Sequence, residues 1–276
     1  MVDKLVTADW VQAHLDDPNI RLVEVDVDTE AYKESHIPGA VAFNWTTQLQ
    51  DQTNRDIISK SALDALLGGA GIGNDTHVVL YGDNNNWFAA YALWILELYG
   101  HQDVSLMDGG RVKWLADGRP STTVVPSYPA AAYRAQEPNP ALRAQRDDVL
   151  RAATAPGSGP QLVDVRSPAE YKGEIIAPPG MTETAQRAGH IPGAKNIPWA
   201  RAVNEDGTFK SPDELRALYG DAGVRDGEPT IAYCRIGERS SHTWFVLKHL
   251  LGYQDVKNYD GSWTEYGSLI GVPVEK

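Results

Sequence analysis

The 276-residue sequence has little cysteine: a single thiol, Cys234. One cysteine closes no intramolecular disulfide and cannot supply a zinc site of several thiolates. Basic residues are scarce too, with 25 Lys and Arg against 37 Asp and Glu and a formal net charge of -12. No basic face is expected, and this argues against a nucleic-acid partner. A small anionic ligand remains compatible, because a local field can oppose the net charge. Long apolar runs are missing as well. The longest, Trp87 to Leu96, is ended by Glu97, too short to span a bilayer, so no membrane partner is expected. The opening "MVDKLVTADW" lacks the charged region and apolar core of a secretory signal. A cytoplasmic, reducing setting follows as the expectation, one in which a lone thiol stays free.

What the sequence does have is enough apolar mass for real cores, 42% hydrophobic against 22% charged, and an internal duplication. "LVEVDVDTEAYKESHIPGAVAFNW" (Leu22 to Trp45) is echoed by "LVDVRSPAEYKGE" (Leu162 to Glu174) and "AGHIPGAKNIPW" (Ala188 to Trp199). The second copy carries the insertion "IIAPPGMTETAQR" between its motifs. HIPGA occurs twice, at His36 to Ala40 and His190 to Ala194. Pro followed by Gly marks a tight turn leading into a strand, which gives His36 and His190 a structural reading. The halves also end alike, "YGHQDVSLMDGG" against "LGYQDVKNYDGS".

"RLVEVDV", "VVLYG", "QLVDV" and "TIAYC" are short, β-branched, apolar runs typical of buried strands. Between them lie helical patterns, "WFAAYALWILELYG" and "HTWFVLKHLLGY", stopped by Gly100 and Gly252. Such alternation predicts an α/β fold with a parallel sheet covered on both faces in each half. We read an N-terminal domain over residues 1–125, a Pro- and Ala-rich extended linker over 126–142, and a C-terminal domain over 143–276.

Cys234 falls between the strand "TIAYC" and the helix "SSHTWFVLKHLL", in the run Cys234, Arg235, Ile236, Gly237, Glu238, Arg239, Ser240. Ligands of α/β sheets bind beyond the carboxyl ends of strands. A short loop there can turn its N–H groups inward, and the next helix N-terminus adds to the anion-binding field. That field and the arginines favour a thiolate. Arg235 and Arg239 suit an oxyanion, and Gly237 permits a tight curl. Glu238 opposes the field and is expected to point outward or pair with an arginine. The alternative for Cys234 is a buried packing residue. His242, eight residues on, is a weaker candidate for a base. Trp263 reads as packing.

Two HIPGA halves with "CRIGERS" and "YDGSW" in the second resemble the tandem rhodaneses, thiosulfate sulfurtransferases, over nearly the whole chain. The resemblance implies two tandem rhodanese-like domains and a double displacement. The loop cysteine takes the outer sulfur of thiosulfate, sulfite leaves, and a thiophilic acceptor, cyanide or a protein, removes the sulfur from a persulfide. It implies no metal and no organic cofactor. Carried over by position, Cys234 is the nucleophile, while Arg239, Arg235 and Arg166 bind the anionic donor. Ile236, Gly237, Glu238 and Ser240 complete the loop. A surface salt bridge is the structural alternative for Arg166, and its partner position in the first half is read as Asp28. The first half offers "YGDNNNWF", with Gly82 or Asp83 opposite Cys234, so the first domain is expected to be inactive and to shape the cleft. The 3-mercaptopyruvate sulfurtransferases are the near alternative, but their loop typically reads CG-S/A-GVT. Related phosphatases carry one more residue between Cys and Arg, and a loop this short is too tight for phosphate. A persulfide carrier is the third reading.

Overall fold

The computed structural model describes every residue except Met1, Asp28, Thr29, Pro156 and Thr182. The chain forms two compact units, Met1–Asn139 with Val203–Phe209, and Pro140–Ala202 with Lys210–Lys276.

The first unit carries strands β1 (Leu5–Val6), β2 (Ile20–Asp26), β3 (Val41–Asn44), β6 (His77–Tyr81) and β7 (Val104–Met107). A small antiparallel pair, β4 (Gln50–Asp51) and β5 (Asp56–Ile57), stands apart. The main sheet is parallel in the order β1-β7-β6-β2-β3. All seven residues of β2 are buried, as expected for a strand covered on both faces. The helix Trp87–Leu98 is buried at every position but its first, which explains why it is apolar all round rather than along one stripe. Among the described residues, no helix is long and apolar enough to cross a membrane.

The second unit repeats this plan with β8 (Gln161–Asp164), β9 (Lys195–Asn196), β10 (Thr230–Tyr233) and β11 (Val256–Tyr259), parallel in the order β11-β10-β8-β9. Where the first sheet has β1, the second keeps a single parallel bridge between Arg143 and Asn258. The helix after β10 differs from the sequence reading. It runs from Glu238 to Phe245 and then widens into a π turn, Val246–Leu250. The turn sets His249 against the rings of Trp244 and Phe245, at centroid distances of 5.2 and 5.4 Å.

Both HIPGA segments perform the same structural task. Each is a turn closed by a backbone bond from Ala to Ile (Ala40 to Ile37 at 3.0 Å, Ala194 to Ile191 at 3.1 Å). Gly39 and Gly193 occupy its left-handed position, at φ of 80° and 75°, and Pro presets the residue before. His36 and His190 lie beneath, with Nδ1 on the carbonyl of Tyr32 (2.8 Å) or Tyr171 (2.9 Å) and the ring stacked on the same tyrosine. Tyr81 and Tyr233, the last residues of β6 and β10, accept the Ile37 and Ile191 amides at 3.2 Å. The motif thus ties the turn to the strand that leads into each loop.

The Pro- and Ala-rich segment lies along the first unit in extended form. Ala131 N donates to Gly68 O (3.0 Å), Gln136 N to Tyr99 O (2.8 Å) and Asn139 N to Leu98 O (2.8 Å). The Tyr128 hydroxyl donates to Gly39 O at 2.8 Å.

Two buried carboxyl groups sit on β2. Burial pushes Glu24 up to about 7 and Asp26 up to about 8. The folded chain therefore holds protons that the unfolded chain releases near pH 4, and the stability tied to them falls as pH rises from about 4 to about 8. Asp26→Asn is expected to stabilise the protein at pH 8 by about 1–3 kcal/mol and to change little at pH 4. Urea midpoints at both pH values measure this; an equal effect at the two would contradict it.

Candidate active site

Four residues, 234–237, separate β10 from the helix that starts at Glu238. Gly237 caps that helix at φ 101°. A Cβ there would stand 2.7 Å from Asp260 Cα, so the position admits only glycine without displacing backbone. Asp260 is fixed in turn by Arg143 through paired bonds of 2.8 and 2.9 Å. The turn after β11 also grips Cys234 itself. Ser262 Oγ accepts the Cys234 amide at 3.0 Å and donates to Tyr259 O at 2.7 Å, while Trp263 N donates to Cys234 O at 3.0 Å. Asn258 on β11 donates to Gly237 O (3.2 Å) and accepts the Ser240 hydroxyl (2.7 Å).

The Cys234 sulfur is fully buried and free of any disulfide. It accepts the Gly237 N–H at 3.1 Å and faces the Ser240 hydroxyl at 3.7 Å. It also donates its own proton to Glu238 Oε2 at 3.3 Å. Inward N–H donation therefore occurs, yet the balance is opposite to the expectation of a ready thiolate. Burial first, and the Glu238 charge second, push the thiol up against the opposing pull of Arg239 and the Ser240 N–H. The resting group is a thiol.

The charged residues form a closed set. Arg239 donates both terminal nitrogens to Glu170, at 3.1 Å each. Burial raises Glu170, but the bonds from Arg239 and Ser167 outweigh it and hold this carboxyl below the usual carboxylate range. Glu238 does not point outward; it is 3% exposed. Its Oε1 lies 3.6 Å from Arg239 Nε and 3.8 Å from Arg235 Nη2, so the pairing with arginine does occur. Arg235 reaches into the insertion of the second copy, donating to Glu183 O and to the Met181 sulfur. Ile236 is buried at 5% exposure and Ser240 completely.

Arg166 is neither on the surface nor paired with a surface acid. It is completely buried, bonded to Asp164 at 2.6 and 3.0 Å and to Gly189 O at 2.8 Å, with its guanidinium 4.7 Å from the Trp263 ring centroid. Its proposed counterpart Asp28 lies outside the described residues. The strand registers pair Asp164 with Tyr233 and Glu24 with Tyr81, which puts Asp26, two residues after Glu24, opposite Arg166. Burial pushes His242 down to about 3, and its ring packs edge-on to Trp199 at 5.3 Å. It is a neutral packing residue. Trp263 belongs to the core cluster of this unit.

Of the two first-half candidates, the structure aligns Gly82 with Cys234. Gly82 O accepts Arg111 N at 3.0 Å, as Cys234 O accepts Trp263 N, but Gly82 N donates to the Asn86 side chain of its own loop at 2.9 Å rather than to a serine of the next turn. A Cβ on Gly82 would sit 2.4 Å from Val25 O. The loop that follows is one residue longer, with five residues (82–86) between β6 and its helix. Asn84, Asn85 and Asn86 all adopt positive φ.

Residues to which the sequence reading assigns no place here are Glu170, Asn258 and Arg143; Asp260 and Ser262 fall in the turn, Asp260 to Trp263, that the sequence places near the cleft, but their bonds to Arg143 and to the Cys234 amide are not legible there. Glu170 had a legible signal. Ser167 and Glu170 form a capping box, and "SPAE" spells its Ser-x-x-Glu pattern, although nothing in that pattern announces Arg239. The others act through folded proximity alone.

The sequence matches the Rhodanese-like domain family twice, at residues 7–117 and 148–269. A Haloferax volcanii protein named "Putative thiosulfate sulfurtransferase" is 61% identical, over 99% of this chain and 96% of its own. The sulfur carrier protein TtuD of Thermus thermophilus is 57% identical over 99% and 96%. Among solved structures, the Escherichia coli 3-mercaptopyruvate sulfotransferase SseA aligns with a TM-score of 0.81 at 29% identity, covering 95% of this chain and 99% of that one.

Removing one partner of a buried ion pair strands the other charge, at a cost of about 3–5 kcal/mol. Glu170→Ala is therefore expected to lower unfolding free energy by about 3 kcal/mol in urea titrations. A loss below about 1 kcal/mol, the range of exposed pairs, would contradict the closed charge set.

Proposed function

The chain belongs to the rhodanese-like domain family, and on that premise we propose that it is a thiosulfate sulfurtransferase acting through a Cys234 persulfide. The observation that carries this reading is the sulfur at the end of β10, met by the Gly237 N–H at 3.1 Å and flanked by Arg235 and Arg239. Cys234 attacks the outer sulfur of thiosulfate, sulfite leaves, and the persulfide waits for an acceptor. Two steps through a covalent intermediate replace one harder displacement. The Gly237 amide is already in place, so it stabilises negative sulfur without reorganising. The sulfur is fully buried, so donor entry requires side chains of the loop to move aside. Arg235 then exchanges its carbonyl and thioether partners for the donor's oxyanion. Arg239, held by Glu170, contributes a fixed positive charge, and Arg166 supports β8 from within. The reaction runs in the second unit; Gly82 offers the first no thiol.

Sulfur delivery to a protein acceptor is supported by the similarity to the carrier TtuD, since the same persulfide serves both outcomes. Against 3-mercaptopyruvate as preferred donor stand Arg235 and Glu238, which differ from the CG-S/A-GVT loop of that group.

Purified protein is expected to show at least about tenfold higher kcat/KM for thiosulfate than for 3-mercaptopyruvate, a difference of roughly 1.4 kcal/mol in transition-state binding. Cys234→Ser should abolish turnover of both. A preference for mercaptopyruvate would overturn the donor assignment, and substantial transfer by the serine variant would overturn the single-site mechanism.

A further inference from the structure

We propose that Glu238 is the proton acceptor for Cys234, taking the thiol proton onto Oε2 as the sulfur attacks and returning it when the persulfide is discharged. This rests on the sulfurtransferase reading above and adds a catalytic group to it.

The geometry divides the carboxylate between two tasks. Oε1 faces the guanidinium groups of Arg239 (3.6 Å) and Arg235 (3.8 Å). Oε2 is left for the Cys234 sulfur, at 3.3 Å. The sulfur meanwhile accepts the Gly237 N–H at 3.1 Å, so its own hydrogen is directed away from Gly237 and toward Oε2. Ser240 and Ser262 also come near the sulfur, at 3.7 and 4.0 Å. Each has a shorter acceptor for its single hydrogen, Asn258 Oδ1 at 2.7 Å and Tyr259 O at 2.7 Å, and a hydroxyl is no base at neutral pH. The groups facing Glu238 are thus Cys234, Arg235 and Arg239, with Glu170 behind Arg239. A carboxylate in hydrogen-bond reach of the proton it removes meets the geometric requirement for a general base. The raised thiol makes such a base useful, since little thiolate exists without one.

The step balances. The Sγ–H bond breaks, the proton moves to Glu238 Oε2, and the electron pair stays on sulfur. That pair forms a bond to the outer sulfur of thiosulfate, and the bond from that sulfur to the sulfite sulfur breaks with its pair leaving on sulfite. A thiol, a carboxylate and a dianionic donor (total charge −3) become a persulfide anion, a carboxylic acid and sulfite (total charge −3). When cyanide removes the outer sulfur as thiocyanate, the freed thiolate recovers the proton from Glu238. No net proton is consumed over the cycle. Protonation also neutralises the carboxylate nearest the sulfur as negative charge develops there, with Arg239 still held by Glu170.

The test is the pH dependence of a single turnover, read as sulfite released from thiosulfate by excess enzyme, in wild type, Glu238→Gln and Glu238→Asp. The near-isosteric Gln variant leaves Arg235 and Arg239 one negative charge short, so it is expected to melt lower; rates are compared well below its own cooperative melt, and the pH dependence rather than the melt decides the role. The proposal expects Glu238→Gln to be about 100-fold slower at pH 7 and to recover toward wild type as pH rises, because solvent then removes the proton. Glu238→Asp should retain a measurable part of the neutral rate. If Glu238 merely opposes the thiolate, Glu238→Gln will equal or exceed wild type at pH 7, and the proposal falls. A slowdown constant across pH would mark a structural role and overturn it too. Pyruvate release from 3-mercaptopyruvate is run in parallel. Wild type that releases pyruvate but no sulfite refutes only the thiosulfate assignment, and the Glu238 comparison is then decided on pyruvate. Wild type that transfers from neither donor refutes both readings.

Discussion

The arrangement around Cys234 depends on the buried pair between Arg239 and Glu170. Arg239 sits in the first turn of the helix after β10, and Glu170 in the short helix after β8. Their two bonds of 3.1 Å fix one helix start against the other. Glu170 is free to serve because Ser167 already orients it as a capping box. Once Arg239 is held, Glu238 has a guanidinium to lean on, and its second oxygen comes to rest on the thiol. Two arginines and two carboxylates then compensate one another inside a site that excludes water. Such a set adds little net stability over an apolar one, but its members cannot be removed singly.

The duplication displays the same scaffold without that set. Gly82 occupies the place of Cys234, its carbonyl gripped by the equivalent backbone bond from the next turn and its amide held instead by Asn86. Arg111 stands where the second unit has Trp263, and the acids of β2 stand where the second unit has Asp164 and Arg166. The longer first loop turns through three left-handed asparagines rather than curling on a glycine. The Tyr–His–Pro–Gly clamp is retained in both units, because it holds the strand end whatever chemistry follows. The fold thus tolerates the loss of the site, while the site requires the fold.

Much of this was legible in the sequence. HIPGA, the β-branched runs and the helical patterns carried the two α/β halves, and Cys234 was placed by its position between strand and helix. The failures share a physical cause. Sequence shows which charges are near each other along the chain, but not which become buried together. For Glu238 the sequence leaves two outcomes, pointing outward or pairing with an arginine; folding gives it the second, with two arginines, and adds the thiol. Nothing in "LVDVR" shows that Asp164, two residues back at the end of β8, closes upon Arg166. The helix was started at Ser240 rather than Glu238, since "GER" carries no standard cap and only the left-handed Gly237 supplies the turn. Asn258 and Ser262 act across 18 and 28 residues of chain, where local pattern has no reach.

The most direct test of the account is the mass of the Cys234 peptide after exposure of the protein to thiosulfate without acceptor. A persulfide adds one sulfur, about 32 Da. The account requires that gain on Cys234, its removal by cyanide with release of thiocyanate, and its absence in Cys234→Ser. Well-folded protein that acquires no sulfur at Cys234, or whose adduct survives cyanide, would contradict it.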